Sequence, residues 1–156
     1  MGKINLDAAV VRVGSMYPSP FDQPCQARKR FRIGDVAGLT QFGVNVCRLS
    51  PGTWSSQRHW HSAEDEFVWV LEGEVVLVTN EGEQILRAGE CAGFPAGEAN
   101  GHQLQNRSDR DAVLLEVGSR RPGEDKCDYP DIDMVLTAAT GFCRRDGNPY
   151  ETKKGG

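Results

Sequence analysis

Three histidines serve the whole 156-residue chain, and all of them fall in two segments that a single site would need. His59 and His61 are one residue apart in QRHWH. On a strand, positions i and i+2 share a face, so both imidazoles point the same way. Glu66 follows after a short polar turn and opens EFVWVLEG, a run of aromatic and β-branched residues that favours a returning strand. A hairpin there brings the carboxylate back beside the imidazoles. His102 lies in a second glycine- and proline-punctuated segment, GECAGFPAGEANGHQLQN, which a closed β-barrel can lay against the first. Neutral imidazoles with one carboxylate form a donor set for a borderline-to-hard divalent metal. An H-x-H pair alone is a weak signal, because a strand histidine more often packs or meets solvent. The weight comes from economy: none of the three is spent elsewhere.

The strands that must position these side chains are legible from alternation. QFGVNVCRL puts Phe42, Val44, Val46 and Arg48 on one face and Asn45, Cys47 and Leu49 on the other, and Ser50-Pro51-Gly52 ends it. The alternation that aims His59 and His61 inward also aims Gln57 inward and sends Arg58 and Trp60 outward. Val68 and Val70 share the face of Glu66, with Phe67, Trp69 and Leu71 opposite. Both faces of that strand are apolar, so the outer one needs a cover, and a second copy of the chain is the natural one. Turns at Glu72-Gly73-Glu74 and Asn80-Glu81-Gly82 give meander hairpins. DAVLLEVG closes the sheet. Its Glu116 is either an inward polar group near the metal or an edge residue. By alternation the pocket wall is expected to include Asn45, Gln57, Cys91 and Phe94, with Glu116, Glu64 and Asp65 the candidate bases.

Residues 1–38 read as an extended arm, with turn or polyproline character at YPSPFDQP. The basic cluster ARKRFRIGD is read first as a solvated or ion-pairing face; the second reading is that Arg28, Lys29, Arg30 or Arg32 reaches a pocket mouth to hold an anionic substrate. Residues 39–118 form the expected barrel. Residues 119–156 read as an extension packing outside it, with a short helix or strand near Asp133 to Ala139, and ETKKGG is expected to be disordered.

Composition bounds the rest. Thirty-eight per cent hydrophobic residues with 18 glycines and 8 prolines suit a single all-β domain rich in turns, and the net charge of −4 argues against a nucleic-acid partner. No apolar run is long enough for a membrane helix and MGKINLDAAVVRVG lacks the core of a secretory signal, so a cytoplasmic protein without a membrane partner is expected. Five scattered cysteines with no C-x-x-C pair read as free thiols, mostly buried; Cys91 is the one expected near the pocket.

The two segments resemble the paired motifs of the cupin superfamily. The first has the form G-x5-H-x-H-x3/4-E-x6-G, matched by Gly52, His59, His61, Glu66 and Gly73. The second has the form G-x5-P-x-G-x2-H-x3-N, matched by Gly89, Pro95, Gly97, His102 and Asn106. Six residues rather than five separate Gly52 from His59, and four rather than two separate Gly97 from His102, which lengthens the loop before the third imidazole. The resemblance implies a jelly-roll β-barrel and one divalent ion per subunit, zinc, iron, manganese or nickel, on His59, His61, Glu66 and His102. It implies a small polar metabolite as substrate, with sugar or sugar-phosphate isomerisation the first expectation. A dioxygenase or decarboxylase is the second, and a barrel that only binds a small ligand or metal is the third. It also implies a homodimer.

Overall fold

The computed structural model describes residues 2–151. Thirteen strands are found among them. The first seven are β1 (Val11–Val13), β2 (Lys29–Phe31), β3 (Phe42–Leu49), β4 (Trp60–His61), β5 (Glu66–Glu72), β6 (Glu74–Thr79) and β7 (Gly82–Arg87). They are followed by β8 (Cys91–Phe94), β9 (Gln103–Gln105), β10 (Ala112–Ser119), β11 (Lys126–Tyr129), β12 (Met134–Thr137) and β13 (Gly141–Cys143). A single helical turn, α1 (Ile33–Val36), joins β2 to β3. No helix among the described residues is long and apolar enough to cross a membrane.

All pairings are antiparallel. One sheet has the order β1-β2-β3-β10-β5-β8, and three- and four-stranded sheets, β7-β6-β9 and β13-β12-β11-β4, complete the roll. This is the all-β architecture that the strand pattern predicts, in the jelly-roll form that the resemblance implies. The inward face follows the predicted alternation: Cys47 and Leu49 on β3, Val68 and Val70 on β5 and Leu114 on β10 are buried, and Val75, Leu77, Leu86 and Leu104 meet them from the smaller sheet. Burying a side chain of this size is worth about 1.5–3 kcal/mol. Val70, Leu49 and Leu114 are fully enclosed.

Two motif residues act on the backbone. Gly73 turns β5 into β6 at a φ of +76°, and a Cβ there would lie 2.7 Å from the Asp111 carbonyl oxygen, so only glycine fits the close crossing of this hairpin over the start of β10. Asn106 is fully buried, and its amide donates to the carbonyls of Leu49 (2.7 Å) and Arg110 (2.8 Å) while its oxygen accepts from the Ser108 amide. It ties the β9–β10 turn to the end of β3.

The two flanking segments are built into the sheets. The arm supplies β1 and β2 as edge strands, with Lys29, Arg30 and Phe31 opposite Arg48, Cys47 and Val46 of this same chain's β3. The C-terminal extension packs on the barrel as expected, but as three strands, and its β11 pairs with β4 (Cys127 opposite His61). A second core joins the two flanks, where Tyr17 and Cys25 meet Cys127, Tyr129 and Met134. All five cysteines are free, four of them buried.

Candidate metal centre

The strand pattern brings the four expected ligands together. His59 and His102 face each other across an antiparallel bridge closed by two backbone hydrogen bonds, His59 N to His102 O at 3.1 Å and His102 N to His59 O at 2.8 Å. The longer loop before His102 is absorbed by side chains: Asn80 and Asn100 bond it to the β6–β7 turn, and Arg58, ion-paired with Asp131 at 2.6 Å, also donates to the Gly101 carbonyl. Glu66 opens β5 on the inward face. Its Oε2 stands 2.8 Å from Nε2 of His102, 3.3 Å from Nε2 of His59 and 3.5 Å from Nε2 of His61.

The other ring nitrogens decide what the site can hold. Nδ1 of His59 donates to the Gln57 carbonyl at 2.9 Å, and Nδ1 of His61 donates to Asp125 Oδ2 at 2.7 Å. With Nδ1 committed in this way, Nε2 is left as the ligating atom, and the ring is held in orientation by an outer partner, the usual arrangement around a bound metal. Nδ1 of His102 is buried without a partner among the described residues, and Phe94 stacks on that ring, 3.5 Å between centroids and 2° from parallel. The donor set therefore fits a divalent metal. His59, Glu66 and His102 form one mutually close group of donor atoms. His61 reaches Glu66 but sits to one side, where it also belongs to groups with His59 and Cys127 and with Glu64 and Asp125.

The charges reflect this crowding. Burial alone would raise the Glu66 pKa, but hydrogen bonds from His102 and His59 and the charges of His59 and His61 hold it well below the usual carboxylate range. Burial opposes charge on His61, yet contact with Cys127 and the Glu66 carboxylate push its pKa up to about 9. His59 is raised in spite of its burial, through Glu66, whereas burial lowers His102. In the absence of metal, Glu66 is the counter-charge that holds the imidazoles in place.

A cavity of about 280 Å³ opens beside this cluster. Asn45, Phe94 and Glu116 line it as expected, as does Glu64. Glu116 is the inward polar group of the two readings, held by Arg30 through Nη2–Oε1 at 2.9 Å and an off-axis Nε–Oε2 contact of 2.6 Å. Two pocket expectations are corrected. Cys91 is exposed on the outer face opposite Trp69, because it and Phe94 are three residues apart and an odd spacing on a strand cannot share a face. Gln57 is buried but turned away, its amide donating to the Phe21 carbonyl at 2.7 Å, because β4 begins only at Trp60 and the alternation does not extend back to it. Asp65 lies outside the cavity, its carboxylate accepting from the Ala96 amide. The sequence reading also missed Asp125 and Cys127, which reach His61 from the C-terminal strands, Ser55 and Ser56 on the cavity wall, and Arg12 and Arg120 at its far end. Asp125 stands in a polar segment with no periodicity, so only the pairing of β11 with β4 reveals it.

Comparison with known proteins agrees with this geometry. Residues 45–118 match the family model described as a cupin domain. No curated protein sequence matches the chain significantly. Among solved structures, a sugar phosphate isomerase of the cupin superfamily from Silicibacter pomeroyi is 46% identical, with 96% of this chain and 97% of that one covered and a TM-score of 0.88. A protein of Acidithiobacillus ferrooxidans, provisionally named a sugar phosphate isomerase, is 28% identical over 76% of this chain and 77% of its own (TM-score 0.70). The polyketide cyclase RemF of Streptomyces resistomycificus is similar in fold alone, at 21% identity over 78% of this chain and 82% of its own (TM-score 0.61). With its barrel, its two motifs and a full-length relative at this identity, the chain belongs to the cupin superfamily.

Proposed function

We propose that the chain is a metal-dependent isomerase of a small sugar or sugar phosphate. The observation that carries the reading is that Glu116 lines the same cavity as Glu66 and His102, two members of the histidine–glutamate cluster. The names given to the Silicibacter and Acidithiobacillus relatives point the same way. His59, His61, Glu66 and His102 would hold the metal, which supplies Lewis acidity to polarise a substrate carbonyl or hydroxyl. Zinc, iron, manganese and nickel all suit these donors.

The chain's own residues then move the proton. Glu116 lies one strand from Glu66 and two residues along, about 8 Å between Cα positions for an ideal sheet. That spacing lets its carboxylate reach the carbon next to one held at the imidazoles. Arg30 holds the carboxylate in place at the cavity wall, as a positioned general base requires. Asn45, beside Glu116 on β3, offers an amide to a substrate hydroxyl. Phe94 fixes the His102 ring and closes one wall. The working assembly is a homodimer through the outer face of the six-stranded sheet, where Val11, Phe31, Val46, Leu115 and Trp69 fall in one register row and Phe67, Trp69 and Leu71 are each more than a third exposed.

The test is metal-loaded protein incubated with aldose and ketose phosphates in deuterated water. Isomerisation with deuterium at the carbon that exchanges its proton supports the reading, and Glu116→Gln should abolish it while keeping the metal. Oxygen consumption with no isomerisation would replace it with a dioxygenase, and tight metal with no turnover on any substrate would leave a binding protein. The double variant His59→Ala/His61→Ala should lose the metal and keep the barrel; full metal content would overturn the ligand assignment.

A further inference from the structure

The end of the cavity away from the histidines is lined by Arg12, Arg30, Arg32 and Arg120. Register explains why. Arg12 on β1 faces Arg30 on β2, and Arg30 faces the buried Cys47, so both point to the concave side of the sheet. Arg32, just past the end of β2 at the start of the α1 turn, also lines the cavity. Arg120 follows β10 and lies over Gly43, where a Cβ would be 3.4 Å from its Nε and Nη2. Gly43 is in turn opposite Gly118, and Gly118 opposite Glu66, so one row of the sheet runs from the Arg120 guanidinium to the metal cluster over two residues without side chains.

The charges do not cancel at this end. Arg30 is matched by Glu116. Asp35 is shared between Arg32, at 2.6 Å, and Arg120, at 2.9 Å. Arg12 pairs with no carboxylate among the described residues and rests its Nη1 3.2 Å from the Met16 sulfur. Four guanidinium groups thus face the carboxylates of Glu116 and Asp35 and, on the same wall, Glu64, which leaves this end net positive and suited to an anion such as phosphate. Guanidinium forks match phosphate oxygens in geometry as well as charge.

We propose that Arg12, Arg32 and Arg120 form a phosphate subsite, and that the substrate is a phosphorylated sugar held by its phosphate here and by its carbonyl end at the histidines. The proposal rests on the cavity being the substrate site, as argued above, and not on isomerisation itself. Two inter-strand steps, about 10 Å, separate Gly43 from Glu66. Seven bonds from the first carbon of a six-carbon chain to its terminal phosphorus cover about 8 Å at the advance of an extended chain. A six-carbon sugar with a terminal phosphate falls about 2 Å short of that span, a difference the side chains at either end can close, whereas a three-carbon one, at about 5 Å, covers only half of it.

The experiment is calorimetric titration of the full-length protein with inorganic phosphate, with and without metal, alongside Arg12→Gln, Arg32→Gln and Arg120→Gln. Wild type should bind phosphate with and without metal, more weakly as salt rises, and each variant should bind it roughly 10-fold or more weakly with unchanged metal content. Arg12 is exposed, so its variant separates recognition from folding. A six-carbon sugar phosphate should bind more tightly than phosphate, and the same sugar without phosphate much more weakly. Undiminished phosphate binding in the three variants would overturn the subsite, as would binding that vanishes when the metal alone is removed. Absence of turnover with phosphate binding intact would count against the isomerase reading and leave the subsite standing.

Discussion

Raising the pH of the metal-free protein should unlock the histidine cluster, and the size of the effect follows from the geometry. The His61 pKa rises from an ordinary 6.5 to about 9 in the folded chain. A group raised on folding contributes stability that is fully present below its unfolded pKa and is lost as pH climbs through the folded one. The window is therefore about pH 6.5 to 9, with stability falling as pH rises. The rise, caused by contact with Cys127 and then by the Glu66 carboxylate, is equivalent to about 3 kcal/mol, counted once because each attraction has two ends. Solvent reaches about a third of the Glu66 side chain, and screening there reduces the figure to about half. At 2–4 °C per kcal/mol for a chain of this size, the melting temperature of chelator-treated protein should drop by about 3–6 °C between pH 6.5 and about 9.5. Circular dichroism melts across that range, with and without metal, make the measurement. Metal-loaded protein should show no such drop, because the imidazoles that bind a metal are already neutral. His61→Gln should remove most of the drop in the metal-free form. A flat metal-free profile, or the same fall in His61→Gln, would refute the hold of Cys127 and Glu66 on the protonated His61.

Three further outcomes are expected. Asp125→Asn weakens the partner of the His61 Nδ1 proton and should lower metal affinity about 10–100-fold with little change in fold, read by competition with a chelator of known strength. Gly73→Ala places a methyl group against the Asp111 carbonyl in a left-handed turn and should destabilise the barrel by more than about 1 kcal/mol, measured by urea unfolding. Trp69→Glu sets a charge in the centre of the apolar outer face and should give a monomer by light scattering; a wild type that is already monomeric at high concentration would remove the dimer proposal.

The ligand set was legible because its signal is local. Two histidines at i and i+2 share a face whatever the rest of the chain does, and Glu66 begins a strand whose alternation through Val68 and Val70 is unbroken. The Cys91 expectation failed within a strand that was itself recognised, since the side of a residue is fixed by parity and Phe94 had already taken the inner one. Gln57 failed at a boundary, where a bend replaces the strand and local hydrogen bonding decides direction. The arginines were visible as a charge cluster, but their facing depends on the register of β1 and β2 against β3, which no short window contains. The strands of the C-terminal extension are three or four residues long, too short for a period to emerge, and their partners are remote in sequence.

One of those remote partnerships bears on when the candidate metal site is completed. β4, which carries His61, has β11 as its one neighbour in its sheet, and 64 residues separate His61 from Asp125. At ribosomal speeds of about 5–20 residues per second, the imidazole waits roughly 3–13 s after synthesis for the group that orients it. Until then the candidate cage lacks the group that orients one of its imidazoles, so the site is completed only when the C-terminal strands have been made.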